Sequence, residues 1–201
     1  MADNDTLNKT EGRRILHFNV EQEIGHGIAV SRLAGRLARE AGLDEEKSHE
    51  LAVAGMVHDI GKFRLWTYIH AQKKDPLVIE ELKYVRLHST LGYEFLKKQG
   101  DYSDFILESI LYHHENYDGS GYPFRLAGDR IPAGARILRI CDVFCALTSD
   151  RPYRKAFDIK TALELMIEDN RHFDLSIFLA FQRVVHSGYL SEVTGMPPEK
   201  P

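Results

Sequence analysis

Cysteine is scarce in this chain: Cys141 and Cys145 are the only two in 201 residues. They stand four apart in a helical pattern, a poor geometry for a disulfide, so the sequence predicts free thiols and a reducing compartment, the cytoplasm. Long apolar runs are missing too. No stretch approaches the roughly 20 residues that a membrane-spanning helix needs, and the polar opening MADNDTLNKTEGRR does not read as a secretory leader. Nor does either charge dominate, since 26 Lys and Arg against 30 Asp and Glu leave a net −4. That balance argues against a DNA-coating or membrane-coating protein. A polyanionic ligand would have to be met by a local cationic patch or by metal ions. Alternating strand patterns are also rare.

What is present is helical periodicity. In EQEIGHGIAVSRLAGRLAREAG, Ile24, Ile28, Leu33, Leu37 and Ala41 recur at helical spacings, and Gly42 is placed to end the helix in the left-handed conformation. Asp44 and Ser103 read as N-caps of the helices through LAVAGMVHDI and FILESILYHHE. Asp75 followed by Pro76 predicts the start of another, through LVIEELKYVRLH. STLGYEFLKKQG is a short helix ending at Gly100, and DGSGYPFRLAGDRIP is a loop rich in glycine and proline. Three more helical segments follow: ARILRICDVFCALTS, DIKTALELMIEDN and DLSIFLAFQRVV. The fold class is all-α, a helical bundle, with residues 1–20 as an N-terminal extension, 21–190 as the working domain and 191–201 as a tail.

Histidine and aspartate carry the chemistry. His58 and Asp59 stand together in VHDIGK at the end of an apolar helix. A lone HD pair is more often a helix end than a metal site. Here, though, His26, His88, His113, His114 and Asp142 sit on other predicted helices beside apolar neighbours. Helical bundles build metal sites by having each helix donate one or two inward ligands, and a metal compensates a buried carboxylate that would otherwise be costly.

The segments HDIGK, HSTLG, HHENYDGSGYP, ICDVFCALTSDRPYR and FDLSIFLAF, in this order, resemble the HD-GYP domain. This is a branch of the HD metal-dependent phosphohydrolases associated with cyclic di-GMP signalling. The resemblance covers about residues 22–186 and implies a buried dinuclear metal site. One ion is implied on His26, His58, Asp59 and Asp142. Asp59 would bridge to a second ion on His88, His113 and His114. Iron or manganese suits such a donor set better than magnesium or calcium. The implied reaction is phosphodiester hydrolysis of cyclic di-GMP to pGpG, and onward to GMP, by in-line attack of a metal-bridging hydroxide. Asp59 and Lys62 are the catalytic candidates, and Arg151, Arg154 and Tyr122 the substrate-binding ones. Diguanylate cyclases are the implied protein partners, through the GYP loop.

Two departures stand out. Gln22 occupies a position where many three-metal members have glutamate, so two metals are expected. Cys145 replaces a usual aspartate and is read as an inert buried thiol. Trp66 and His70 lie in an unusual segment, and Trp66 could pack on a base or simply in the core. Glu115 and Asp118 read as loop supports. His17, His49, His70, His172 and His186 are assigned to surface or core duty. Alternatives stay open: an HD phosphohydrolase for another cyclic dinucleotide or nucleotide, or a weakly active or inactive binding module.

Overall fold

In a computed structural model, the structure describes residues 19–71, 82–151 and 154–187. Nine α-helices run through them: α1 Val20–Glu40, α2 Glu45–Val57, α3 Ile60–Ala71, α4 Leu82–Val85, α5 His88–Gln99, α6 Asp104–Tyr112, α7 Ala133–Leu147, α8 Ile159–Glu168 and α9 Leu175–His186. No strand occurs among the described residues, and only an isolated bridge pairs Arg151 with Arg154. The all-α reading holds.

Most helix starts follow from local chemistry. Asn19, Asp44, Ser103, Asp158 and Asp174 each accept a first-turn backbone N–H through the side chain, relieving donors that a helix leaves unpaired. Gly42 and Gly100 follow α1 and α5 with φ of 91° and 82°, in the region glycine enters without steric cost. The Asp75–Pro76 cap, His17 and the Trp66 and His70 side chains lie outside the described residues.

The core is built around α7. It packs against α1, α6, α8 and α9, and Ile137, Leu138, Ile140, Cys141 and Phe144 are fully buried along it. Leu33 and Leu37 from α1, Leu51 from α2, Ile110 from α6 and Phe181 from α9 close the same core.

One expected stripe divides. Leu33 and Leu37 are buried, but Ile24 and Ile28 are 50% and 38% exposed. Helical geometry puts His26 and Val30 on the same face as Leu33 and Leu37, and puts Ile24 and Ile28 roughly opposite. The inward face of the first half of α1 therefore carries a histidine where the sequence reading had placed isoleucines.

Candidate metal centre

Seven side chains from five helices and their ends converge on the surface of this core. His26 comes from α1, His58 and Asp59 from the turn between α2 and α3, and His88 from the first position of α5. His113 and His114 follow α6 directly, and Asp142 lies on α7. Gly61 permits the convergence. A Cβ there would stand 1.9 Å from the His88 carbonyl oxygen and 2.7 Å from the Gly92 nitrogen, so α3 could not approach α5 with any other residue.

Three of the histidines are oriented in one way. The Nδ1–H groups of His58, His88 and His113 donate to the carbonyl three residues back: Gly55 at 2.8 Å, Val85 at 2.6 Å and Ile110 at 2.6 Å. A carbonyl can only accept, so each Nδ1 carries a proton and each Nε2 faces the centre. Burial resists charge on His58, but the Asp59 and Asp142 carboxylates outweigh it and raise it from the usual imidazole value to about 10, so a metal there would displace a proton from its Nε2.

The centre divides into two groups, within each of which the ligand-type atoms all lie within 4.8 Å: His26, His58 and Asp142, and Asp59, His88, His113 and His114. In the first, Asp142 Oδ1 is 3.0 Å from His26 Nε2 and 3.7 Å from His58 Nε2. In the second, His88 Nε2 lies 3.1 Å from Asp59 Oδ1, 3.3 Å from His113 Nε2 and 3.1 Å from His114 Nε2. Asp59 touches both, its other oxygen being 3.2 Å from His58 Nε2.

These residues fit divalent transition metals on the structure's own terms. His88 Nε2 lies 3.3 Å from His113 Nε2, 3.1 Å from His114 Nε2 and 3.1 Å from Asp59 Oδ1, a crowding of donor atoms on one point that a shared cation suits. Buried His58 Nε2 and Asp59 Oδ1 have no hydrogen-bond partner among the described residues, a cost that coordination removes. Burial and the neighbouring His58 and His88 hold His113 well below the usual imidazole range, so it is neutral and ready to donate a lone pair. Burial resists charge on Asp59 and Asp142, but the histidines around both, with Lys62 beside Asp59, outweigh it and keep both ionised. Imidazole with carboxylate is the donor set of late first-row ions.

Lys62 lies between two carboxylates, with Nζ 2.5 Å from Asp59 Oδ2 and 3.4 Å from Glu23 Oε2. Sequence reading missed Glu23. Gln22 is exposed, and it is the next residue that turns inward. Arg139 was missed as well: its Nε donates to Asn116 Oδ1 at 3.0 Å, and Nη1 lies 3.5 Å from His114 Nδ1. A signal was present, since Arg139 stands one turn before Asp142.

The HHENYDGSGYP stretch is pinned from within. Glu115 is 2% exposed and its carboxylate accepts from Phe124 N (2.7 Å) and Leu126 N (3.1 Å). Asp118 accepts from the Ser120 backbone and hydroxyl. Both are loop supports, as read. Gly119 has a φ of 81°, but Gly121 is required for another reason: a Cβ there would sit 2.3 Å from the Asn116 nitrogen. The turn delivers Tyr122 face to face with the His114 ring, centroids 4.7 Å apart.

The substrate-binding candidates are not gathered together. Arg154 donates to the carbonyls of Ala146, Leu147 and Lys155 and packs over Phe157, so its guanidinium closes the end of α7. Arg151 is half-buried and is a charged neighbour of Cys145. Cys145 itself is 1% exposed, and burial pushes its thiol far up, consistent with an inert role. His49 and His186 are on the surface. His172 lines a cavity of about 270 Å³ with Arg139, Val143, Leu165 and Phe173, between α7 and α8 and apart from the seven converging side chains.

An all-α bundle with such a paired His/Asp centre defines the class, and the chain's match to the HD domain family model over residues 12–177 agrees with it. The chain belongs to the HD domain family, and the HD-GYP resemblance stands. It is 39% identical over 160 residues to a cyclic di-GMP phosphodiesterase of Pseudomonas aeruginosa, covering 80% of this chain and 38% of that one. It is 38% identical over 141 residues to a 3′3′-cGAMP-specific phosphodiesterase of Vibrio cholerae, covering 70% and 32%. The chain thus spans less than two fifths of these relatives. A solved HDGYP protein from Bdellovibrio bacteriovorus shares the fold, with a TM-score of 0.64 at 20% identity, over 82% of this chain and 52% of that one. No helix among the described residues is long and apolar enough to cross a membrane.

Proposed function

We propose that this protein is a metal-dependent phosphodiesterase that opens cyclic di-GMP to pGpG and carries some product on to GMP. The observation that carries this reading is the paired His/Asp centre that meets at Asp59 with the Nε2 atoms of three histidines already turned inward. Its relatives' names supply the substrate class.

His26, His58, Asp59 and Asp142 would hold one ion, and Asp59, His88, His113 and His114 a second, with iron or manganese suited to the donors. When bound, such a pair supplies a nucleophilic water at neutral pH and neutralises phosphoryl oxygens. The chain's own residues do the rest. Asp59 offers one oxygen to each group and fixes their spacing. Lys62, held on Asp59 and Glu23, keeps a cation beside the place where a phosphate oxygen would arrive. Arg151 is the second cation on the Asp142 side, and Tyr122 walls the His114 side. Free, buried Cys141 and Cys145 support a cytoplasmic setting.

The test is direct. Protein loaded with manganese, or with ferrous iron under reducing conditions, should convert cyclic di-GMP, with products resolved by chromatography. Asp59→Ala should lose the activity together with bound metal. Metallated wild type that leaves cyclic di-GMP intact but cleaves 3′3′-cGAMP would move the assignment to the substrate in the Vibrio relative's name. Turnover of neither would leave a binding module.

A further inference from the structure

The cations that sequence reading offered to a phosphate are largely engaged. Lys62 is paired with Asp59 and Glu23, Arg154 closes α7, and Arg139 is bonded to Asn116 behind His114. A cyclic dinucleotide carries two phosphodiesters. With one at the metal centre, the other needs a partner across the ring.

Arg86 has the right form. It lies in the turn between α4 and α5, two residues before His88, and is exposed. Its guanidinium carbon sits 5.4 Å from the centroid of the Tyr122 ring, and Tyr122 stacks in turn on His114. The three groups form a column from solvent down to the metal centre. A guanidinium seated on an aromatic face keeps its N–H donors around its edge, where they suit phosphate oxygens. Among the described residues no protein group takes those donors. Tyr122 is half-buried, and its hydroxyl lies within the field of Asp142, Asp59 and Lys62, which places the column at the edge of the centre. Arg151, by contrast, borders Cys145 on the Asp142 side.

We propose that Arg86, seated on Tyr122, forms a separate anion subsite that binds the phosphodiester not being cut. This rests on the cyclic-dinucleotide reading above and extends it. It gives the tyrosine of the GYP turn a positioning role as the platform for Arg86. It also gives the site a means of preferring a substrate with two phosphates over one with a single phosphate.

The experiment compares cyclic di-GMP with bis(p-nitrophenyl) phosphate, a diester with one phosphate, on manganese-loaded wild type, Arg86→Met, Arg86→Lys and Tyr122→Leu, with metal content measured for each. For Arg86→Met, KM for cyclic di-GMP should rise about 10- to 100-fold, the loss expected for a charged hydrogen bond. The ratio of kcat/KM between the two substrates should fall by the same factor. Arg86→Lys should fall between, because it keeps the charge without the fork. Tyr122→Leu should follow Arg86→Met. An unchanged ratio in Arg86→Met, or an equal loss on both substrates, overturns the subsite while cyclic di-GMP turnover by wild type keeps the parent reading. Wild type that cleaves only the simple diester overturns both.

Discussion

At the scale of single residues, the structure sorts charged groups by what they touch rather than by type. Glu115 is an acid beside two candidate ligands, yet its oxygens are used on the Phe124 and Leu126 amides. Burial raises its pKa, and those backbone bonds pull the other way. Glu115→Gln replaces one accepting oxygen with an NH₂ that faces a donor. It should cost about 1–3 kcal/mol, read as a lower urea midpoint with unchanged slope, and should loosen the turn that carries Tyr122. Metal-ligand types were legible in the sequence because histidine and aspartate are chemically marked and recur at helix ends. Glu23, Arg86 and Arg139 were not. Their roles depend on which turns meet in space, and an arginine reads the same in sequence whether it faces a phosphate or, like Arg154, a row of carbonyls.

Among the elements, helix boundaries were the most legible feature, since Asp44, Ser103, Gly42 and Gly100 act through local backbone chemistry. Which face of α1 points inward was not, because alternative apolar positions compete and only packing against α2 and α7 decides. The start of α9 shows how a cap reaches further. Asp174 caps it and also accepts from Arg136 of α7, tying two helices together. Burial works against the charged carboxylate, but Ser176, Ile177 and Arg136 outweigh it, and the folded pKa is depressed. A depressed carboxylate pKa contributes stability that is present above the unfolded value, about 3.9, and is lost as pH falls through the folded one. Asp174→Asn should therefore lower stability by about 1–2 kcal/mol at pH 7. The gap from wild type should close as the solution is acidified below the ordinary aspartate value and through the depressed folded one, measured by urea unfolding across that range.

The whole molecule couples site and scaffold. Ligands drawn from five helices or their ends make ion binding a property of the folded chain alone, so it must stabilise that chain. An ion at a hundred times its Kd adds about 2.7 kcal/mol. For a chain of this size that is roughly 5–10 °C in Tm, checked by calorimetry of chelator-treated against manganese-loaded protein. Absence of a shift would mean that the cluster holds no ion. The same coupling runs in the other direction through the three Nδ1–H bonds. The carbonyls of Gly55, Val85 and Ile110 lie in the last turns of α2, α4 and α6, where a helix leaves its acceptors unpaired. His58, His88 and His113 are therefore helix terminators as well as candidate ligands. Their replacement would disturb those helix ends whether or not an ion is bound. His26 and His114 make no such bond; His26 is tied instead to Asp142, and His114 to Tyr122 and Arg139.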